Sequence, residues 1–517
     1  MTKLAVPIWV HEAEGALDDC AAAKSAGADL VELRIDSATD DVEGLVRLVE
    51  ACPLPCVVTC RPVWEGGAYD GEDQERIAVL ERLCLASPGP AYVDVELLAY
   101  QRSANLRQKV GLVVDHAGQN KQGLPGLILS SHDFETRPSD LTRRVAAIAE
   151  QERCRVVKVA WAARSVRDNL EALELIRTQA KPTIALCMGE AGLMSRVLAK
   201  KAGALLTFAR LDDGSGTAPG QPTVAELKGL YRWDALKEST RVYGVIGWPV
   251  GHSKSPQLHN AGFDAVGYDG VYLPVPVAPA YEAFKATAAE FVDTPWLDFR
   301  GASVTIPHKE NLLRFVEERG GEVEALTQKI GAANTLTVRD DGSLYASNTD
   351  YAAALDAVAD ALATDRAGLA GLRVLVLGAG GAARAIVAGF AGCGCAVTVV
   401  NRTAEKAAAL ADAFGAEAGA MADAGEMEAD VVINCTPLGM HPEVEGCPLP
   451  EGASVLRPGV VVFDTIYNPV ETVLLRRAKS AGCATVSGVE MFVRQGAAQF
   501  ELWTGQEAPL DVLQGAV

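Results

Sequence analysis

Lys158 sits inside the apolar run Val156-Val157-Lys158-Val159-Ala160. A lysine amine is almost wholly protonated in neutral water, and an apolar setting favours its neutral form. A neutral amine adds to a ketone to give an imine, and the protonated imine acidifies the neighbouring carbon. His132, in Ser131-His132-Asp133-Phe134, suits removal of that proton and its delivery to a departing hydroxyl. Arg61 and Arg196 offer planar forks for a substrate carboxylate. Glu32 and Arg34 are two apart in a strand-like run and share one face. Glu65 stands in a Glu65-Gly66-Gly67 turn, and Thr217 and Gln221 close Thr217-Ala218-Pro219-Gly220-Gln221. Each has a plainer alternative: a snorkelling lysine, a structural Glu32–Arg34 pair, a satisfied loop histidine. Their recurrence at the ends of successive strands favours one shared site.

A second set follows residue 240. Ser253 and Ser255, in Gly251-His252-Ser253-Lys254-Ser255-Pro256, stand near a helix start, and Lys309 lies just past Ser303-Val304-Thr305-Ile306. Asn334 and the Asp350 of Asn348-Thr349-Asp350 add an amide and a carboxylate. A polyhydroxylated acid needs such donors and acceptors, although singly these segments read as a turn and a helix cap. Leu375-Val376-Leu377-Gly378-Ala379-Gly380-Gly381-Ala382-Ala383-Arg384 is a strand, a glycine-rich turn and a helix start. Its glycines let backbone approach a pyrophosphate that the helix N-terminus favours. The next strand ends in Asn401-Arg402-Thr403, with Asn401 23 residues after Gly378. An acidic residue there suits NAD, whereas an arginine suits the 2′-phosphate of NADP, so NADP(H) is the expected cofactor.

The elements that must position these groups alternate between strand and helix. Strands are expected at 4–10, 29–36, 56–61, 91–97, 126–134, 155–161, 183–189 and 205–210, with helices such as 72–86 and 166–178 between them. Eight βα units in about 200–250 residues predict an α/β fold that opens with a (β/α)8 barrel. Beyond it, strands at 242–247, 270–275 and 302–306 and a hairpin 334–338/344–347 precede a doubly wound unit with strands at 373–377, 396–400, 430–434, 460–464 and 484–486. The Ala-rich stretch 404–424 reads as helix. The expected domains are a barrel at 1–225, a linker at 226–240, a substrate-binding α/β domain at 241–350 completed by the helix within 490–517, and a Rossmann dinucleotide domain at 351–489.

A formal charge of −20 argues against a nucleic-acid partner. No apolar run reaches the roughly 18 residues of a membrane span. The first residues enter a strand-like run at once, which leaves no room for a signal or transit peptide and predicts a cytoplasmic protein. Twelve cysteines without a CxxC pair or a Cys/His cluster predict reduced thiols and no metal site.

Together Val31-Glu32-Leu33-Arg34-Ile35-Asp36, Arg61 with Glu65-Gly66-Gly67, Ser131-His132-Asp133-Phe134, Val157-Lys158-Val159, Met188-Gly189 with Ser195-Arg196, and Ala218-Pro219-Gly220-Gln221 resemble type I 3-dehydroquinate dehydratases nearly end to end. That resemblance implies an imine between Lys158 and 3-dehydroquinate, with His132 as general acid/base and Glu65 orienting it. It implies that Arg196 binds the carboxylate, while Glu32, Arg34, Arg61, Thr217 and Gln221 hold ring hydroxyls and close the site. Thr217 stands where the family often has serine, and the hydroxyl is kept.

From 241 onward, the second set together with Asn434-Cys435-Thr436-Pro437-Leu438-Gly439-Met440, Asp464-Thr465-Ile466-Tyr467-Asn468-Pro469 and Gln495…Gln499-Phe500-Glu501-Leu502-Trp503 is similar to shikimate dehydrogenases. The resemblance implies that Lys309 and Asp350 exchange a proton with the substrate's 3-oxygen. It implies substrate contacts from Ser253, Ser255, Thr305, Asn334, Tyr467, Gln495 and Gln499. Gly378, Ala379, Gly380, Gly381, Ala382, Asn401, Arg402, Thr403, Thr436 and Gly488 would hold the cofactor. Tyr351 after Asp350 departs from the common bacterial Asn-Thr-Asp-Gly and looks more like the fused plant enzymes, and Ser255 favours shikimate over quinate. The implied function is consecutive: 3-dehydroquinate to 3-dehydroshikimate without a metal, then to shikimate with NADPH, with these small molecules as partners and neither nucleic acid nor membrane. A catabolic quinate/shikimate dehydrogenase, a class I aldolase barrel and a degenerate ligand-sensing regulator are the alternatives.

Overall fold

A computed structural model describes residues 2–117, 125–212, 214 and 216–517. The chain divides into two compact units, Met1–Thr240 and Arg241–Val517. In the first, β1 (Lys3–Trp9), β2 (Leu30–Arg34), β3 (Cys56–Thr59), β4 (Tyr92–Glu96), β5 (Gly126–Asp133), β6 (Cys154–Ala162), β7 (Thr183–Met188) and β8 (Leu206–Phe208) form one parallel sheet in the order β7-β6-β5-β4-β3-β2-β1-β8. The remaining gap between β7 and β8 is bridged at their starts, where the Leu205 N–H donates to the Thr183 carbonyl at 3.0 Å. The result is a nearly closed barrel.

Side-chain alternation layers its interior. Leu30, Val57, Ile128, Val156 and Ile184 pack as an apolar floor. Two residues further along four of these strands stand Glu32, Thr59, Ser130 and Lys158, all buried. The polar mouth therefore lies toward the strands' C-terminal ends, where barrel sites are built. Residues 226–240, expected as a linker, pack onto this unit. Leu227, Tyr231, Trp233 and Leu236 are buried, and the Lys201 ammonium donates to the carbonyls of Glu238 at 2.7 Å and Thr240 at 2.9 Å.

The second unit contains two six-stranded sheets. β9 (Arg241–Gly247), β10 (Gly270–Pro276), β11 (Phe299–Val304), β12 (Glu322–Val323), β13 (Thr335–Val338) and β14 (Leu344–Ser347) are ordered β10-β9-β11-β13-β14-β12, with β13 antiparallel to β11 and β14. β15 (Arg373–Leu377), β16 (Ala396–Asn401), β17 (Glu417–Ala420), β18 (Val431–Asn434), β19 (Val461–Asp464) and β20 (Ala484–Val486) are parallel in the order β17-β16-β15-β18-β19-β20. That order has its topological switch between β15 and β18, where open α/β sheets bind ligands.

Two strands depart from the sequence expectation. β12 has two residues and carries no periodic signal. β17 lies inside the Ala-rich stretch expected to be helical. Gly415, at φ 68°, ends the helix Ala404–Phe414, and the next residues pair with the edge of β16. A left-handed glycine cap and sheet pairing override alanine's helix propensity.

Helix Gly488–Thr504 starts in a capping box of Ser487 and Glu490 and returns to the first of these sheets. Its Trp503 Nε1 donates to the Leu336 carbonyl at 3.0 Å, and Gly301 makes room, since a Cβ there would lie 2.4 Å from that nitrogen. Among the described residues, no helix is long and apolar enough to cross a membrane.

Candidate active sites

Glu32, Arg34, Arg61, Glu65, His132, Lys158, Arg196, Thr217 and Gln221 line one cavity at the barrel mouth. Lys158 points into it, buried, with its nitrogen 4.9 Å from the centre of the Phe208 ring. The amine is not alone in apolar surroundings, as the sequence argument pictures it. Its Nζ is 2.7 Å from Asp94 Oδ2 and 3.1 Å from Glu32 Oε1. The charged groups that meet it come from β2 and β4, strands far from it in sequence. Asp94 and Glu96 are the residues that sequence reasoning missed. They are two apart on β4, so the rule that pairs Glu32 with Arg34 marks them too.

The two expected carboxylate-binding arginines differ. Arg61 is already engaged, 2.5 Å from Glu96 and 3.0 Å from Asp94. Arg34 is paired with Asp36 at 2.6 Å and lies over the Trp9 ring. Arg196 is buried, and its Nε and Nη1 have no hydrogen-bond partner among the described residues. Burial lowers its affinity for the proton to a pKa of about 10. A buried guanidinium without a counter-ion is costly, which makes this the natural seat for a ligand carboxylate.

Glu65 reaches His132 because its turn is built from glycines. A Cβ on Gly66 would lie 2.2 Å from the Phe134 ring, and one on Gly67 would lie 2.0 Å from the Arg61 carbonyl oxygen. Glu65 Oε1 accepts the His132 backbone N–H at 2.6 Å and lies 3.0 Å from Nδ1. Burial, with Arg61 and Lys158 nearby, holds the imidazole well below its ordinary range. Burial likewise pushes the Glu65 carboxyl up to about 8, against the pull of Arg61. Both shifts favour the neutral forms, so the contact is better described as a hydrogen bond than as an ion pair, despite its distance. Across the mouth, the Thr217 N–H donates to Gln221 Oε1 at 3.0 Å, which folds that loop over the cavity.

In the second unit a cavity of about 420 Å³ gathers Ser253, Ser255, Thr305, Lys309, Asn334, Asp350, Tyr467, Gln495 and Gln499, together with Ala382 and Gly488 from the expected cofactor set. Lys309 opens helix Lys309–Glu318, and its Nζ is 2.5 Å from Asp350 Oδ2. Asp350 lies in the first turn of helix Thr349–Ala361, where its backbone N–H is capped by Asn348 and its other oxygen accepts from Asn334 Nδ2 at 2.9 Å. This fixes one ammonium–carboxylate pair at the cavity wall, suited to passing a proton to a substrate oxygen. Ser303, missed from sequence, lies two before Thr305 and also lines the wall. It accepts the Tyr272 hydroxyl at 2.6 Å and donates to Gln499 at 2.7 Å.

Gly378, Ala379, Gly380, Gly381, Asn401, Arg402, Thr403 and Thr436 lie at the ends of β15, β16 and β18, outside that wall. Gly378 has φ 111°, which only glycine adopts freely, and a Cβ on Gly380 or Gly381 would meet nothing within 4 Å. The approach to the N-terminus of helix Gly381–Gly392 is thus open, as a pyrophosphate requires. Arg402 is exposed and makes no ion pair among the described residues, so its charge is available to a phosphate.

The comparisons agree with this division. Residues 4–238 match the model for type I 3-dehydroquinase. Residues 245–336 match the shikimate dehydrogenase substrate binding domain, 361–441 the shikimate/quinate 5-dehydrogenase, and 488–517 the shikimate 5′-dehydrogenase C-terminal domain. The chain is 38% identical over 526 residues to the chloroplastic bifunctional 3-dehydroquinate dehydratase/shikimate dehydrogenase of Arabidopsis thaliana, covering 98% of this chain and 83% of that protein. It is 40% identical over 292 residues to the NADP(+) shikimate dehydrogenase of Methanothermobacter thermautotrophicus, covering 54% of this chain and 96% of that one. A solved structure of dehydroquinate dehydratase and shikimate dehydrogenase from S. pombe is 25% identical with a TM-score of 0.45, covering 100% of this chain and 98% of that one. The chain belongs to the bifunctional 3-dehydroquinate dehydratase/shikimate dehydrogenase family, with a type I dehydroquinase barrel followed by a shikimate dehydrogenase.

Proposed function

We propose that the first unit dehydrates 3-dehydroquinate through an imine on Lys158 and that the second reduces the product, 3-dehydroshikimate, to shikimate with NADPH. The observation that carries this reading is the meeting of Lys158, His132 and the unpaired Arg196 guanidinium in one buried cavity. Arg196 fixes the substrate carboxylate. Lys158 passes a proton to the neighbouring Glu32 carboxylate, adds to the ketone and expels the carbonyl oxygen as water. The neutral His132 imidazole takes the proton from the adjacent carbon and returns it to the departing hydroxyl. Water then releases the unsaturated ketone and regenerates the amine. Sodium borohydride added with 3-dehydroquinate reduces the imine, so peptide mass spectrometry is expected to find the substrate skeleton on Lys158. An adduct elsewhere, or none, contradicts the assignment.

The protonation of this site predicts a pH profile. A lowered histidine pKa means that the neutral base persists to lower pH. The acid limb of kcat/KM for dehydration is therefore expected below 6.5, the ordinary histidine value. A second inflection near pH 8 follows from Glu65 and is lost in Glu65→Gln. An acid limb at or above 6.5, or an inflection near 8 that survives the substitution, contradicts this protonation.

In the second unit the glycine-rich turn, Thr436 and Gly488 hold the dinucleotide, and Arg402 holds a 2′-phosphate. When bound, NADPH supplies the reducing equivalent. Ser253, Ser255 and Thr305 bind the acid, and Lys309 with Asp350 delivers a proton to the ketone oxygen as it becomes a hydroxyl. Arg402→Ala is expected to weaken NADPH by roughly 10- to 100-fold, the range of one charge-assisted hydrogen bond, with NADH changed little. Equal losses for the two cofactors in a binding titration would argue against a phosphate contact.

A further inference from the structure

Two buried side chains without a part in the chemistry join the two binding loops of the second unit. Asn434 ends β18, Asp464 ends β19, and the two are register partners. Both are fully buried, and Asn434 Nδ2 donates to Asp464 Oδ1 at 3.0 Å. On the cofactor side, Asn434 Oδ1 accepts from the Thr436 N–H at 2.9 Å and from its hydroxyl at 2.7 Å. On the substrate side, Asp464 Oδ1 accepts the Ile466 N–H at 3.1 Å, and Oδ2 accepts the Thr472 hydroxyl at 2.6 Å. These last two bonds bracket Tyr467.

Both loops are packed where they meet the ligand-binding elements. A Cβ on Gly378 would lie 3.2 Å from Thr436 Cγ2, so the Thr436 loop rests against the glycine-rich turn. A Cβ on Gly488 would lie 2.3 Å from the Ile466 carbonyl oxygen, so the Tyr467 loop rests against the start of helix Gly488–Thr504, which carries Gln495 and Gln499. The pair's amide oxygen and both carboxylate oxygens are occupied. Moving either loop alone would leave a buried polar group without its partner, which a low-dielectric interior penalises heavily.

We propose that Asn434 and Asp464 are positioning residues that couple cofactor binding to substrate binding, by tying the Thr436 loop to the Tyr467 loop. The proposal rests on the reading that these loops bind dinucleotide and substrate respectively. Seating the dinucleotide orders Thr436 and with it the Asn434 amide, and Asp464 carries that order to Tyr467. Linkage makes the effect reciprocal: shikimate changes the affinity for NADPH by the factor by which NADPH changes the affinity for shikimate.

Calorimetric titration of the full chain tests this with NADPH and shikimate, a pair that cannot react because both are reduced. In the unmodified protein, saturating shikimate is expected to tighten NADPH about tenfold, within the usual span of such couplings, with the same factor in the reverse titration. Asp464→Ala removes the acceptor of all three donors, and it should bring the factor close to 1 while NADPH alone still binds. Thr472→Val, which removes one bond at the far edge, should reduce the factor by less, and it carries the test if Asp464→Ala does not fold. Independent binding in the unmodified protein, or an unchanged factor in the variants, overturns the proposal. Failure of either ligand to bind the unmodified protein overturns instead the assignment of the loops.

Discussion

Lys158→Ala is expected to abolish the dehydration of 3-dehydroquinate, by on the order of 100,000-fold in kcat, and to leave shikimate oxidation at its parent rate. The size follows from the role, because among the described residues no other amine lines the barrel mouth to form the imine. The cavity's other cation with free hydrogen-bonding capacity is Arg196, whose guanidinium stays protonated. Removal of the lysine also leaves Asp94 and Glu32 without the ammonium between them, so the variant's melting temperature must be measured beside its kinetics. Lys158→Met, similar in length and without charge, gives the same kinetic loss if the role is covalent. Slow dehydration restored by added primary amine would further support an imine. A variant that retains a tenth or more of the parent rate contradicts it.

The mirror experiment is Lys309→Ala. Shikimate oxidation is expected to fall by about 1,000-fold, the scale of a lost proton-transfer group, while dehydration stays near normal. Asn334 continues to hold Asp350 through Nδ2 at 2.9 Å, so the carboxylate keeps its place and the loss reports the ammonium itself. A change confined to KM would instead mean that Lys309 only binds substrate. Simultaneous loss of both activities would show that the two units do not act independently.

The barrel strands are legible in the sequence because most are short apolar runs set between longer helical stretches. The doubly wound sheet is legible for the same reason, helped by glycines whose turn needs them. Less visible is what sequence order separates. Glu32, Asp94 and Lys158 come from three strands, and the strand-by-strand pattern that exposes Glu32 and Arg34 says nothing about which faces meet across a barrel. The engagement of Arg61 by Glu96 is hidden in the same way, so only the folded site separates it from the unpaired Arg196. β17 escapes because alanine's local preference is for helix, whereas a sheet edge and one left-handed glycine decide the outcome. Asn434 and Asp464 are readable as parts of recurrent motifs, but their hydrogen bond across adjacent strands is a property of the sheet alone.

If one chain performs both steps, it needs no second enzyme to turn 3-dehydroquinate into shikimate. The measurement that tests it most directly supplies the purified protein with 3-dehydroquinate and NADPH and no other enzyme, and follows absorbance at the reduced nicotinamide band. A short lag is expected, followed by consumption of one NADPH for each 3-dehydroquinate. A flat trace from protein that still oxidises NADPH when given 3-dehydroshikimate would contradict it.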